Sequence, residues 1–398
     1  MRLLFCSRPA YGHLYPMMPL ALAAREAGHE VVFATTGRFV EMLPAVGFAA
    51  VDAGITMEAA RAQLDGADWF SRFGRQDGRP DLAVAARFFI EVLGTRSAAD
   101  LAPRLDELAP DVVVYEQGEF GAAVAAGAAG IPAVCHAISP RALIPALEPA
   151  SRRHLARLWE RHGVRSPALD VFTGDAYVDI VPDSLQLASF LDDAARITVR
   201  PTPWAEPGAA LPAWVGARGR PLVYLTLGTV VGQAGNLAPA IEALGRLDAD
   251  VLVALGSATD DGLRGRAGNV HVVPFVDQRG VLPHADLVVH HGGSGTMLGA
   301  LAHARRQLLL PKGADQFFNA DALRNAGMAT VLEPGVASAD AIEAAARAAL
   351  DTPVPARVLT ARDEIAAMPP PAAALDAVLD RVAGRSARAP LVQPSLTG

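Results

Sequence analysis

The stretch Leu287-Val288-Val289-His290-His291-Gly292-Gly293-Ser294-Gly295-Thr296 decides the fold of this chain. Leu287–His290 reads as a short buried strand, Gly292–Gly295 as a glycine-rich turn, and the apolar run Met297–His303 as a helix. A strand that passes through glycines into a helix leaves backbone N–H groups unpaired at the helix N-terminus, which favours a phosphate there. Ser294 and Thr296 add hydroxyl donors, and a histidine at the strand end adds a further one. The plainer reading is a strand-to-helix corner without a ligand. Three glycines beside two histidines and two hydroxyls within ten residues weigh against it.

Working outward, the same alternation recurs. Pro221–Leu227, Val251–Leu255 and Val270–Val273 precede this strand as β-type runs, and Gln307–Leu310 follows it. The first half repeats the pattern with Leu3–Ser7, Val31–Thr35, Asp111–Tyr115 and Pro132–His136. A helix is expected from Pro16 to Ala27, closed by Gly28, and the Ala/Gly-rich segment Gly121–Gly130 joins two of the strands. Strands alternating with helices predict an α/β chain with parallel sheets. Arg200-Pro201-Thr202-Pro203-Trp204, Glu206-Pro207-Gly208 and Pro212 form an extended proline-rich connection between the halves. The expected division is therefore 1–200, a linker at 201–219, a second domain at 220–384, and a Ser/Pro/Arg-rich tail at 385–398 that is expected to be loose. Ligands of doubly wound sheets bind beyond the carboxyl ends of the strands, so two such halves predict a cleft between them.

Composition bounds the function. At 398 residues the chain has room for two to three domains at about 100–200 residues each. It is 51% hydrophobic and 19% charged, the opposite of a disordered chain. A net charge of −7 argues against a phosphate-backbone partner, so no nucleic acid is expected. Cys6 and Cys135 are too few for a disulfide framework or a thiolate metal site. The apolar start meets Arg8-Pro9 too soon for a secretory signal. The stretch Gly118–Leu147 is broken by Pro132, His136, Pro140 and Arg141, so membrane insertion is not expected either. The expectation is a soluble cytoplasmic protein, and a homodimer is compatible with it. Lys312 is the only lysine among 35 basic residues, a mark of a GC-rich coding genome rather than of mechanism.

Several further residues could carry chemistry. Phe275-Val276-Asp277-Gln278 follows a strand and could line a base pocket. Asp315 and Gln316 pair an acceptor-only group with a mixed donor/acceptor, which suits vicinal sugar hydroxyls, although Asp315 is equally a good helix N-cap. His13, in Ala10-Tyr11-Gly12-His13-Leu14, lies just past the first strand and can accept a proton at neutral pH. Glu116 ends a strand and should point into the same cleft, where a carboxylate on the second imidazole nitrogen would set its tautomer. Glu119 is a rival for that role, and both acids could instead be solvated loop residues. His29, His154 and His162 are expected to be peripheral, as is Asp248-Ala249-Asp250 at the wrong end of its strand. The dinucleotide glycine fingerprint is not met, because Gly299 comes one place late, and no cluster has metal-ligand spacing.

Together these residues resemble the GT-B glycosyltransferases of family 1, the group that holds plant UDP-glucosyltransferases and bacterial antibiotic glycosyltransferases. The resemblance runs from Gly12-His13 to the helical stretch after Pro334 and is carried by Phe275–Gln278, His291–Thr296 and Pro311–Gln316 at their mutual spacing. Leu225-Thr226-Leu227-Gly228-Thr229 is similar to the family's turn after the first strand of the donor domain. The resemblance implies two Rossmann-like domains and inverting transfer from a dTDP- or UDP-sugar to a small acceptor, with no metal and no other cofactor. It implies His13 as the catalytic base and Glu116 where the family usually has an aspartate. Gly228, Thr229 and His291 with Gly292, Gly293, Ser294, Gly295 and Thr296 would hold the diphosphate, Phe275 and Gln278 the base, and Asp315 and Gln316 the sugar. The acceptor is expected to be a polycyclic or macrocyclic natural product. Trp69, Phe70, Phe73 and Phe88 lie where the family builds its acceptor pocket, with Leu143, Ile144 and Leu147 as a second wall; an ordinary helical core explains them equally well. Two alternatives stay open, a nucleotide-sugar epimerase and a non-catalytic nucleotide-sugar-binding partner.

Overall fold

The computed structural model describes residues 1–63, 79–206, 211–217, 219–228, 234–256, 258, 262–263, 265 and 267–386. Trp69, Phe70, Phe73, Thr229 and the end of the expected tail lie outside the described residues.

Two all-parallel sheets organise the chain. The first contains β1 (Arg2–Cys6), β2 (Glu30–Thr35), β3 (Ala49–Asp52), β4 (Val112–Glu116), β5 (Ala133–His136), β6 (Ala176–Asp179) and β7 (Arg196–Thr198) in the order β3-β2-β1-β4-β5-β6-β7. The second contains β8 (Leu222–Thr226), β9 (Asp250–Ala254), β10 (Val270–Val273), β11 (Leu287–His290), β12 (Arg306–Leu309) and β13 (Thr330–Val331) in the order β10-β9-β8-β11-β12-β13. Leu3, Leu4, Phe5 and Cys6 are all buried, as are Leu287, Val288, Val289 and His290. That is the pattern of strands covered by helices on both faces, and the reason they read as unbroken apolar runs.

Each sheet reverses its strand order beside its first strand. β1 pairs β2 on one edge and β4 on the other, with Cys6 in register with Tyr115. β8 pairs β9 and β11, with Thr226 in register with His290. The crevices at the carboxyl ends of β1/β4 and β8/β11 are therefore the two switch points where ligands are expected.

Two expectations need correction. The helix expected from Pro16 to Ala27 is broken into a turn of α-helix at Tyr11–Leu14, a 3₁₀ turn at Tyr15–Met17, and the helix Met18–Glu26. Pro16 and Pro19 lack the N–H groups that a continuous helix would use. The expected second domain, 220–384, takes in most of the final helix, Pro371–Ser386, but that helix packs against Met18–Glu26, β6 and β7 of the first half. Its buried stripe Ala374, Leu375, Val378 and Val382 supplies the reason. Arg200 ties the crossing in place, its N–H donating to Pro369 O at 2.8 Å and its Nη2 to Met368 O at 3.2 Å.

Candidate active site

The turn after β1 brings His13 over the end of β4. Its Nδ1 lies 3.1 Å from Oε1 of Glu116, close enough for an ion pair, although the angle leaves Nδ1 without a well-formed hydrogen bond. Arg8 Nε donates to the same oxygen at 2.9 Å, and the Gly118 N–H donates to Oε2 at 2.7 Å. Glu116 is wholly buried. Burial by itself would raise its pKa, but Arg8 and then His13 outweigh it and hold the carboxyl well below the usual carboxylate range. Glu119 is buried differently. It caps the helix Phe120–Ala128, accepting from the Ala122 N–H at 3.4 Å, and burial pushes its pKa up to about 7 against the pull of Ser97 and Arg8. Of the two acids, Glu116 is the one beside His13.

The second crevice is built from the stretch that decided the fold. The helix Ser294–Ala302 starts at Gly293, and no side chain caps its first turn. Its leading N–H groups thus remain available to an anion. His291 stands between Gly228 and Gly293, and each glycine is required. A Cβ at Gly228, where φ is +76°, would sit 2.6 Å from the imidazole, and one at Gly293 would sit 2.4 Å from Nε2. Burial lowers the His291 pKa to about 4, with the Thr226 backbone pulling the other way, so the ring is neutral at pH 7 and carries one N–H, while its buried Nδ1 makes no well-formed hydrogen bond. His290 is structural: its Nδ1 accepts the Gly292 N–H at 3.1 Å, leaving Nε2 to donate to Gln307 Oε1 at 2.9 Å.

The sugar-side loop is held from below. Asn319 Nδ2 donates to Gly292 O at 2.9 Å and to Asp315 Oδ2 at 3.0 Å, so one buried amide links the glycine turn to Asp315. Gln316 Oε1 accepts from the N–H groups of Lys312 at 2.8 Å and Gly313 at 3.2 Å, which shapes the loop itself. Gln278 Nε2 donates to Thr296 Oγ1 at 3.2 Å, tying the expected base pocket to the phosphate turn.

Both crevices open into one cleft of about 1180 Å³ lined from both halves. That exceeds the roughly 300–1,000 Å³ of a single small-ligand site and leaves room for two molecules. On the first-half side its walls include Tyr11, Phe39, Phe89, Leu143, Ile144 and Leu147. Phe88 does not join them. It is buried in a small cluster with Ala60 and Leu93, and its neighbour Phe89 faces the cleft instead. Phe275 is half exposed at the cleft, 6.0 Å from Tyr11, and Trp204 of the connection stacks edge-on against Tyr15 at 4.6 Å. His154 is also not peripheral: it is buried, with Nδ1 2.7 Å from Glu91 Oε1. Asp248 is exposed, as expected. Among the described residues no group of three or more His, Cys, Asp or Glu is placed to hold a metal ion, and no helix is long and apolar enough to cross a membrane.

Residues 22–228 match the N-terminal domain of the family described as erythromycin biosynthesis protein CIII-like, and residues 238–380 match its C-terminal domain. The L-demethylnoviosyl transferase of Streptomyces niveus is 33% identical over 82% of this chain and 84% of its own length. The elloramycin glycosyltransferase ElmGT of Streptomyces olivaceus is also 33% identical, over 94% and 95%. The chain belongs to this glycosyltransferase family. Among solved structures, the glycosyltransferase SnogD from Streptomyces nogalater superposes with a TM-score of 0.75 at 28% identity, covering 96% of this chain and 99% of that one. VinC, solved in complex with dTDP, superposes with a TM-score of 0.78 at 25% identity, covering 96% and 100%. The GT-B architecture expected from the sequence is the one this glycosyltransferase has.

Sequence reading missed three parts of the glycosyltransferase site. In the sequence Arg8 only ends an apolar run, and nothing local signals that it folds back onto Glu116. Asn319 sits on the face of the helix Gln316–Asn325 that turns toward Gly292, which only the tertiary structure shows. Tyr11 and Trp204 lie within the stretches Ala10–Leu14 and Arg200–Trp204, where nothing in the local pattern marks either as a wall of the cleft.

Proposed function

We propose that this glycosyltransferase moves a sugar from a dTDP- or UDP-sugar onto a hydroxyl of a hydrophobic polycyclic or macrocyclic natural product, with inversion and without a metal. One observation carries the reading: the His13–Glu116 pair and the uncapped His291 glycine turn open onto the same cleft. With Nδ1 of His13 toward Glu116, Nε2 is left for the acceptor. It takes the hydroxyl proton as the oxygen attacks the anomeric carbon, and Glu116 stabilises the imidazolium that forms. The bond from that carbon to the diphosphate breaks in the same displacement, which inverts the centre. Charge develops on the departing diphosphate, where the N–H groups of the Gly293–Thr296 turn and the neutral His291 donate to it. These fixed donors take the part that a divalent cation plays elsewhere. Asp315, bound by Asn319, is positioned for sugar hydroxyls, and Phe275 and Gln278 for the base. The apolar wall of Tyr11, Phe39 and Phe89 supports an aromatic or macrocyclic acceptor. Relatives named as transferases of elloramycin and of erythronolide intermediates support the same acceptor class.

The test is a matrix of dTDP- and UDP-sugars against hydroxylated polycyclic and macrocyclic acceptors, run in EDTA with mass-spectrometric product detection. Glycoside of inverted anomeric configuration is expected, with stoichiometric nucleoside diphosphate. A product of retained configuration, or activity only with added divalent cation, would overturn the mechanism. Epimerised donor in the absence of any acceptor would point to a different reaction.

A further inference from the structure

We propose that Arg8 is a positioning residue of this site, completing a set Arg8–Glu116–His13 in which it keeps the buried Glu116 carboxylate ionised and aimed at the His13 ring. The inference rests on the reading of His13 as the base.

The geometry is specific. Arg8 Nε and His13 Nδ1 approach the same Oε1 of Glu116, at 2.9 and 3.1 Å, and the Gly118 N–H holds Oε2. The guanidinium is buried, lies 4.2 Å over the Phe89 ring, and leaves Nη1 without a partner. A guanidinium that accepts desolvation while one of its nitrogens stays unpaired is not placed there for its own hydrogen bonding. It is placed for Glu116. Position 118 is also adapted to it, because a Cβ there would lie 1.4 Å from Arg8 Nη2. The turn after β4 therefore requires glycine as long as Arg8 occupies its slot.

Glu119 of the same pocket offers a comparison. It is also buried but has no direct Arg8 contact, and burial, with the nearby Glu116 charge added, pushes its carboxyl up to about 7. The other charged or titratable groups facing this region are Cys6 from β1, Cys135 and His136 from β5, and Asp315 from across the cleft. None supplies a positive charge at neutral pH in place of Arg8. Without the guanidinium, Glu116 would keep only the His13 and Gly118 contacts against its burial, its carboxyl would rise, and a protonated carboxyl cannot stabilise the imidazolium.

The test labels glutamate with carbon-13 at the side-chain carboxyl, assigns the Glu116 signal with Glu116→Gln, and follows it by NMR from about pH 5 to about pH 9, the range into which a buried carboxyl rises when unpaired. The signal is expected to stay flat in the wild type and in Arg8→Lys, and to titrate in Arg8→Gln. A flat signal in Arg8→Gln would overturn the proposal. If Arg8→Gln does not fold, Gly118→Ala, whose added methyl displaces the guanidinium, serves the same comparison. In parallel, the acid limb of the pH–rate profile for sugar transfer should move up by one pH unit or more in Arg8→Gln and be restored in Arg8→Lys. An equal loss of rate at every pH would assign Arg8 a merely structural role. The carboxyl titration needs no turnover, so a shifted signal without any sugar transfer in the wild type would refute the functional reading alone.

Discussion

His13 and Glu116 meet across the first switch point, Nδ1 to Oε1 at 3.1 Å, with one residue on the turn after β1 and the other ending β4. The contact joins two strands that are neighbours in the sheet although about a hundred residues apart in the chain. On the proposed mechanism it gives the imidazole a buried anion as it takes a proton. His13→Ala should therefore lower kcat for transfer by about 10²–10⁴-fold, while dTDP affinity, set in the other half, stays unchanged. Calorimetry beside initial rates checks both parts, and a parallel loss of nucleotide binding would contradict the division of labour.

By the resemblance read from the sequence, Glu116 is expected to stand where the family usually has aspartate. Its extra methylene lets one carboxylate reach His13, Arg8 and the Gly118 N–H together. Shortening it by about 1.5 Å, one carbon–carbon bond, should break at least one of these contacts. Glu116→Asp is expected to lose transfer by about tenfold or more at an unchanged donor KM, consistent with a charge-assisted hydrogen bond. A fully active aspartate variant would mean that the longer side chain has no such role.

At Gly293 an added methyl has nowhere to go, since it would sit 2.4 Å from His291 Nε2. Gly293→Ala should displace the ring and weaken dTDP binding by about tenfold, the loss of one hydrogen bond to a charged group. Gly295→Ala is the matched control, because nothing lies within 4 Å of its added carbon. Equal affinities in the two variants would contradict the assigned geometry.

Glu119 predicts a pH dependence of stability. Its pKa rises from an ordinary 4.5 to about 7 on burial. The native state therefore holds a proton that the unfolded chain has released, and stability contributed by this group is complete below the unfolded value and lost as pH rises through about 7. Glu119→Gln mimics the protonated form. It should match the wild type near pH 4 and exceed it at pH 8, by up to about 2–3 kcal/mol. Chemical denaturation at the two pH values decides this, and an equal difference at both would contradict it.

Much of this was readable in the sequence because it is local. The strand-turn-helix at Leu287–Ala302 and the turn carrying His13 are fixed by apolar runs and glycines adjacent in the chain, and both strand-end positions were found. What escaped the reading is long-range. Arg8 reaches Glu116 across 108 positions, and the final helix returns to the first sheet through the Arg200 contacts. Phe88 and Phe89 show the finer limit: the rings of these adjacent aromatics touch edge-on at 5.2 Å, yet only Phe89 lines the cleft, and only packing tells which one does.

The most direct test of the central claim is calorimetric titration of dTDP into the wild-type protein in EDTA. Binding without any divalent cation is expected, weakened by about tenfold or more in His291→Ala and untouched in His13→Ala. Binding that appears only with added metal, or that ignores the loss of His291, would contradict that claim.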